Sequence, residues 1–419
     1  MNLKNIIKLL IIFIPFFSLS CQKLDNFRNK DEKILLTLKD EIENIETFNN
    51  IFKNFEDNYF DHYSKSVNFL WKNEQELKKV LTINNSPAKY PSSSALKVNI
   101  INDKIYSLNN NSDLKIYNLN DKKDIETYHV SKSLNTEFSY PTSVAMLNNF
   151  LYAGYAEGTL IKSDLYGNIK WQLELNDILK TPIKIYNENI IVILSNKILS
   201  VDTINEKINW EFIYKNDNSL NVYGGDIVSK NHLLFFYLPN GRLGEIDTII
   251  GENINSLFSK IKYDHNLFDS SNAVHTFQNL ISFYENNKFL YTIDIQNNNF
   301  LIEKYKVENV LSHNFINNAL IILDKEKNIK AYNIKNMKIF WKSYLKEYLN
   351  KDEKIVEILN NDNRIIIFFN NGLILEIDLI SGEVLFNQKI KLKEIILIYF
   401  IDNYVFFRQI NGKTTIFKQ

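Results

Sequence analysis

The chain of 419 residues contains one cysteine, six prolines and eleven glycines, and its formal net charge is zero. Each shortage excludes something. A single cysteine cannot form an intramolecular disulfide, so any core is held by packing and hydrogen bonds. Scarce proline and glycine argue against a disordered or collagen-like chain. With 49 basic against 49 acidic residues there is no basic field for a nucleic-acid backbone. Motifs for chemistry are missing too: there is no HExxH, GxSxG, P-loop or CxxC. The six histidines (His62, His129, His232, His265, His275 and His313) have no ligand spacing, and the acidic residues fall at turn positions without an obvious carboxylate pair. The expectation is a protein that is not an enzyme and carries no metal or cofactor.

Long apolar runs are also lacking. The run from Leu9 to Leu19 follows Lys4 and Lys8 and is shorter than the about 20 residues that span a bilayer. It has the layout of a secretory signal over 1–20, and Ser18-Leu19-Ser20-Cys21 resembles a bacterial lipobox with Ser18 in place of the usual Leu. The expectation is cleavage before Cys21 and acylation of that cysteine. The lipid would hold a soluble domain on a membrane, each buried methylene contributing roughly 0.8 kcal/mol. Gln22 after the cysteine fits sorting to the outer membrane, periplasmic side. An ordinary secretory signal with a chance cysteine is the alternative. Residues 21–65, charged and mixed in period, read as a tether or extension.

What the chain has in abundance is a repeat. "ILSVDTINEKINW" (198–210) recurs as "LIKSDLYGNIKW" (160–171), "IKAYNIKNMKIFW" (329–341) and "ILEIDLISGEVLF" (374–386). Weaker copies are "LKIYNLNDKKDIE" (114–126), "LGEIDTIIGENIN" (243–255) and "LYTIDIQNNNFLI" (290–302). The key Asp or Asn falls at Asn118, Asp164, Asp202, Asp247, Asp294, Asn333 and Asp378, with gaps of 38 to 47 residues. Six residues earlier stands a turn residue: Gly158, Asn196, Gly241 or Gly372. Runs rich in Val, Ile, Phe and Tyr flank it, as half-buried strands favour. Four antiparallel strands per unit of this length mark a β-propeller blade.

The last stretch, "DNYVFFRQINGKTTIFKQ" (402–419), superposes on "DNRIIIFFNNGLILEID" (362–378) but lacks a closing strand and aromatic. "SVNFLWKN" (66–73), around Trp71, is expected to supply both. The fold expectation is therefore all-β: an eight-bladed propeller over 66–419, its last blade completed by an N-terminal strand. A seven-bladed ring is the alternative. In this frame Trp71, Trp171, Trp210 and Trp341 are wedges between blades, and the repeated Asp bonds the amides of the turn that follows it.

The phrase Asp-x-x-x-Gly-x-x-x-Trp at this spacing looks like the repeat of pyrroloquinoline-quinone (PQQ) dehydrogenase propellers. A lipobox ahead of eight such blades resembles the BamB family, lipoproteins of the outer-membrane β-barrel assembly machine. The resemblance runs from about Trp71 to the C-terminus and is sharpest over 151–250. It implies a scaffold that binds the periplasmic domains of the barrel-inserting subunit BamA and sits with other components of that machine, with unfolded outer-membrane proteins as a further partner. It places the BamA contact in two loops, at Leu220, Val222 and Tyr223 and at Asp269. Two positions depart from the family pattern: Leu267 stands where it has an acidic residue and Tyr223 where it has a basic one. Two other classes share the fold: a quinoprotein dehydrogenase-like enzyme, and a periplasmic lipoprotein binding a ligand in the funnel.

Overall fold

The computed structural model describes residues 71–84, 98–120, 124–130, 140–179, 182–186, 188–214, 226–230, 233–237, 243–249, 251, 253–255, 275–277, 280–285, 289–294, 301–307, 309–316, 318–349, 353–361 and 364–419. Among these there is no helix, and the strands form eight four-stranded antiparallel sheets. We label the sheets blades 1 to 8, with strands A to D in each. Blades 1 to 7 cover 99–129, 141–174, 184–213, 226–255, 275–306, 310–344 and 355–389, each a simple meander. Blade 8 takes A, B and C from 395–418 and its fourth strand from Lys78–Asn84.

Blade 7 shows why these residues form this unit. Arg364–Phe369 (RIIIFF) and Leu373–Asp378 (LILEID) pair across a tight Asn370-Asn371-Gly372 turn. Gly372, at φ +85°, donates its N–H to the Phe369 carbonyl, and Leu373 N–H bonds Asn371 Oδ1. Both strands are buried nearly throughout, whereas strand D, Val384–Lys389, alternates between half-buried and exposed. A strand apolar on both faces needs cover on both sides, and each blade obtains it from its two neighbours.

Adjacent blades share their cores. Blades 1 and 2 meet around Tyr106, Leu114, Val144 and Tyr155, and blades 2 and 3 around Tyr152, Trp171, Ile190 and Leu199. Blades 7 and 8 meet around Phe368, Ile374, Phe400 and Phe407. Blade 8 packs in turn on blade 1 through Tyr399, Phe406, Ile83, Val98 and Ile105, with Val98 N–H donating to Tyr399 Oη at 2.9 Å. The A strands of blades 4 and 5, 6 and 7, and 7 and 8 lie side by side, which puts A innermost and D outermost.

One expectation needs correction. The strand that pairs with the last one is Lys78–Asn84, not the stretch around Trp71. In most blades the ladder between C and D carries a bulge just before the repeated Asp, and the residue past it is the wedge: Trp171 opposite Lys162, Trp210 opposite Ser200, Trp341 opposite Ala331. In blade 8 the same bulge lies between Lys79 and Leu81, and Leu81, opposite Ile416, holds the wedge position. Lacking an aromatic there, "KKVLTIN" has no marker to align, whereas Trp71 offers a false one.

Candidate functional site

The repeat motif resolves into a joint between blades. Asp202 Oδ1 accepts the N–H groups of Ile204 (2.7 Å) and Asn205 (2.9 Å), and Oδ2 accepts Asn205 Nδ2. Asp164, Asp247 and Asp378 accept turn amides in the same way, as do Asn118 and Asn333. Asp294 ends its strand at the edge of a turn outside the described residues. Two of these turns, in blades 4 and 7, receive the tryptophan of the preceding blade. Trp210 Nε1 donates to Thr248 O (2.8 Å) and Trp341 Nε1 to Leu379 O (2.9 Å), both one residue past the repeated Asp. Four residues past it, Gly251 (φ +70°) and Gly382 (φ +72°) lie flat under these indoles; a Cβ there would stand 2.4 Å from Trp210 Cγ or 2.6 Å from Trp341 Cε3. The Asp–Gly–Trp spacing thus satisfies two adjacent blades at once.

Blade 2 departs from this pattern. Lys162 Nζ donates to Thr203 O at 2.8 Å and so takes the carbonyl that an indole takes elsewhere. Among the described residues Trp171 Nε1 has no acceptor, although the ring stays buried.

Trp71 is not a strand wedge but part of a latch. Its ring meets Phe368 edge-on, with centroids 5.6 Å apart, and its Nε1 donates to Glu376 Oε1 at 2.8 Å. Glu376, fully buried, also accepts Glu74 N–H (2.9 Å) and Arg364 Nη1 (2.9 Å). Arg364 reaches Glu74 as well. Gln419, at the other end of the chain, accepts Lys72 N–H and donates to the Lys72 and Gln75 carbonyls. Sequence reasoning missed this cluster. Glu376 in an otherwise apolar strand was its only signal.

The meander puts A–B and C–D turns on one face of the ring and B–C turns with D-to-A connections on the other. The loops carrying Leu220, Val222, Tyr223 and Asp269 lie outside the described residues, as do Cys21 and residues 1–65. Their flanking strands place the roots of both loops on the D-to-A face, between blades 3 and 4 and between blades 4 and 5. On that face, described carboxylates brace hairpins. Asp324, nearly buried, accepts Glu326 N–H, Asn328 N–H, Asn328 Nδ2 and Lys330 Nζ, all within 3.0 Å. Burial alone would raise its pKa, but these bonds outweigh it and hold the carboxyl below the ordinary value. Asp113 is lowered likewise against burial, by His129 at 2.9 Å and by Asn109. Glu353, also buried, accepts Asn371 Nδ2. Among the described residues no group of His, Cys, Asp and Glu has the arrangement of a metal site, and no described helix is long and apolar enough to cross a membrane.

Eight radially stacked four-stranded sheets define a β-propeller. Solved structures similar to the chain include BamB from Moraxella catarrhalis, at 14% identity and TM-score 0.58, covering 82% of this chain and 100% of that one. They also include the quinohemoprotein alcohol dehydrogenase from Comamonas testosteroni, at 11% identity and TM-score 0.56, covering 84% of this chain and 78% of that one. The C-terminal WD40 domain of Sif2 is similar at 12% identity and TM-score 0.56, covering 82% of this chain and 99% of that one. At these identities the likeness is one of fold. No family profile matches the chain, and no curated protein matches its sequence.

Proposed function

We propose that this protein is a non-enzymatic scaffold lipoprotein of the outer-membrane β-barrel assembly machine. In this reading it is anchored through Cys21 on the periplasmic side of the outer membrane and binds the periplasmic domains of BamA. The observation that carries the reading is a combination: a PQQ-like eight-bladed ring preceded by a short apolar run ending in the chain's only cysteine. BamB is among the solved structures that share the propeller fold with this chain. The use of side chains supports a scaffold too. The four tryptophans are buried at joints between blades, and the repeated Asp residues whose turns are described bond those turns. In the proposed arrangement the D-to-A loops beside blade 4 dock on BamA while the lipid keeps the ring at the membrane. The ring then helps hold the machine in a state ready for insertion.

The test is recovery of BamA with the full chain from solubilised membranes. Association that weakens on Leu220→Glu or Val222→Glu, with folding unchanged, supports the reading. Absence of BamA together with a bound quinone or a calcium-dependent absorbance band would overturn it in favour of a quinoprotein enzyme.

A further inference from the structure

The C–D turns of blades 2, 3 and 4 share a feature that the turn chemistry does not call for. Two residues past the repeated Asp, at the tip of each turn, stand Tyr166, Ile204 and Ile249, with 63%, 63% and 76% of their surface exposed. The turn needs only the backbone N–H of this residue, which bonds the Asp carboxylate in all three blades. Any side chain would serve: blades 1 and 6 carry Asn120 and Lys335 there, and blade 7 carries Ile380, which is partly buried rather than exposed. Joints between consecutive blades make the three tips neighbours: Lys162 reaches the Thr203 carbonyl, and Trp210 the Thr248 carbonyl. Together they form an arc of exposed apolar tips along one sector of one face.

The N-terminal chain joins the ring on this same face. Lys78, the first residue of its strand, pairs with Lys418 at the end where a C–D turn would stand, and Lys72 is bonded to Gln419. Fifty positions separate Trp71 from Cys21.

We infer that the C–D-turn tips of blades 2 to 4 are a membrane-contacting edge, with Tyr166, Ile204 and Ile249 seated in the interfacial region of a phospholipid bilayer. This rests on the reading of Cys21 as the lipid anchor. Three tips alone hold a free protein on a bilayer weakly. On a tether the local concentration of membrane is of order millimolar, and a weak insertion becomes populated. Tyrosine suits this depth because its ring is apolar and its hydroxyl stays wet. The carboxylates beside the tips, Asp164 and Asp202, are occupied by turn amides, and Asp164 is also paired with Lys170, so the contact is apolar rather than electrostatic. It orients the ring with its D-to-A face, and the proposed BamA loops, away from the bilayer.

The experiment uses the full acylated chain in vesicles of phosphatidylethanolamine and phosphatidylglycerol. Once Cys21 is acylated the chain has no other thiol, so Tyr166→Cys, Ile204→Cys, Ile249→Cys or Ile410→Cys each takes a polarity-sensitive dye at one place. Ile410 is half exposed on the opposite face and serves as the control. The expected result is an apolar signal, quenched by lipid-borne quenchers and insensitive to salt, at the three tips and not at position 410. Changing one tip to Ser should weaken the insertion equilibrium about fivefold, equivalent to about 1 kcal/mol at tenfold per 1.4 kcal/mol. Changing all three should weaken it about a hundredfold. An anchored protein whose tips report water overturns this proposal alone. A wild-type chain that takes up dye at Cys21 and stays soluble overturns the anchor reading and this proposal with it.

Discussion

Glu376→Ala tests the reasoning about the latch most sharply, because one buried carboxylate serves three donors from two segments far apart in the chain. The substitution leaves the indole N–H of Trp71, the Glu74 amide and the Arg364 guanidinium without their common acceptor. Hydrogen bonds to a charged group contribute about 1.5–3 kcal/mol each, and removing one partner of a buried ion pair costs about 3–5 kcal/mol. These figures overlap rather than add: Arg364 keeps its bond to Glu74 and is partly exposed, so about 3–5 kcal/mol is expected for the whole change. Glu376→Gln keeps an acceptor for Trp71 and Glu74 but turns an amide N–H toward Arg364, so it should lose about half as much. Urea unfolding followed by circular dichroism gives the totals. A double-mutant cycle with Trp71→Phe should return a coupling of about 1–2 kcal/mol. Hydrogen exchange supplies the local readout: amides of Lys78–Asn84 should exchange faster in Glu376→Ala while those of blade 3 do not. A loss below about 0.5 kcal/mol, or unchanged exchange in that strand, would refute the latch.

Three further outcomes follow from the joints and hairpins. Gly382→Ala, and equally Gly251→Ala, should destabilise by about 2–3 kcal/mol in thermal or urea unfolding, because a Cβ at positive φ meets the indole of the preceding blade. Trp341→Phe should cost about 1 kcal/mol more than Trp171→Phe in the same assay, since only the Trp341 indole has an acceptor to lose. The folded-state pKa of Asp324 is depressed, so its contribution is present above the unfolded value of about 3.9 and lost as pH falls through the folded value. The stability gap between wild type and Asp324→Asn should therefore stay constant above about pH 5 and shrink on acidification below about 4.

The repeat was legible because it is local. Strand pairing across a two-residue turn and the capping of Asp by the next amides depend on neighbours in sequence, so seven copies of the phrase announce seven blades before any contact is known. The eighth was legible only as a fragment. Its fourth strand contains Leu81 where the frame has an aromatic, and pattern matching chose Trp71 because it scores residue type and not pairing partner. The candidate loops at Leu220, Val222, Tyr223 and Asp269 came from resemblance and not from periodicity, which has nothing to say about segments that vary between blades.

The sequence by itself determined the strand frame, the blade size and three of the four expected tryptophan wedges, Trp171, Trp210 and Trp341, because those follow from alternation and turn chemistry within about 45 residues. Only the tertiary structure decided which blade each wedge touches, that Lys162 replaces an indole at one joint, and that Glu376 joins segments some 300 positions apart. It also decided that Tyr166, Ile204 and Ile249, spaced along the chain like any residues of the repeat, stand together on one face. The physical reason is the ring: it converts a period in sequence into adjacency in space, and the chain carries that period without specifying where it is read.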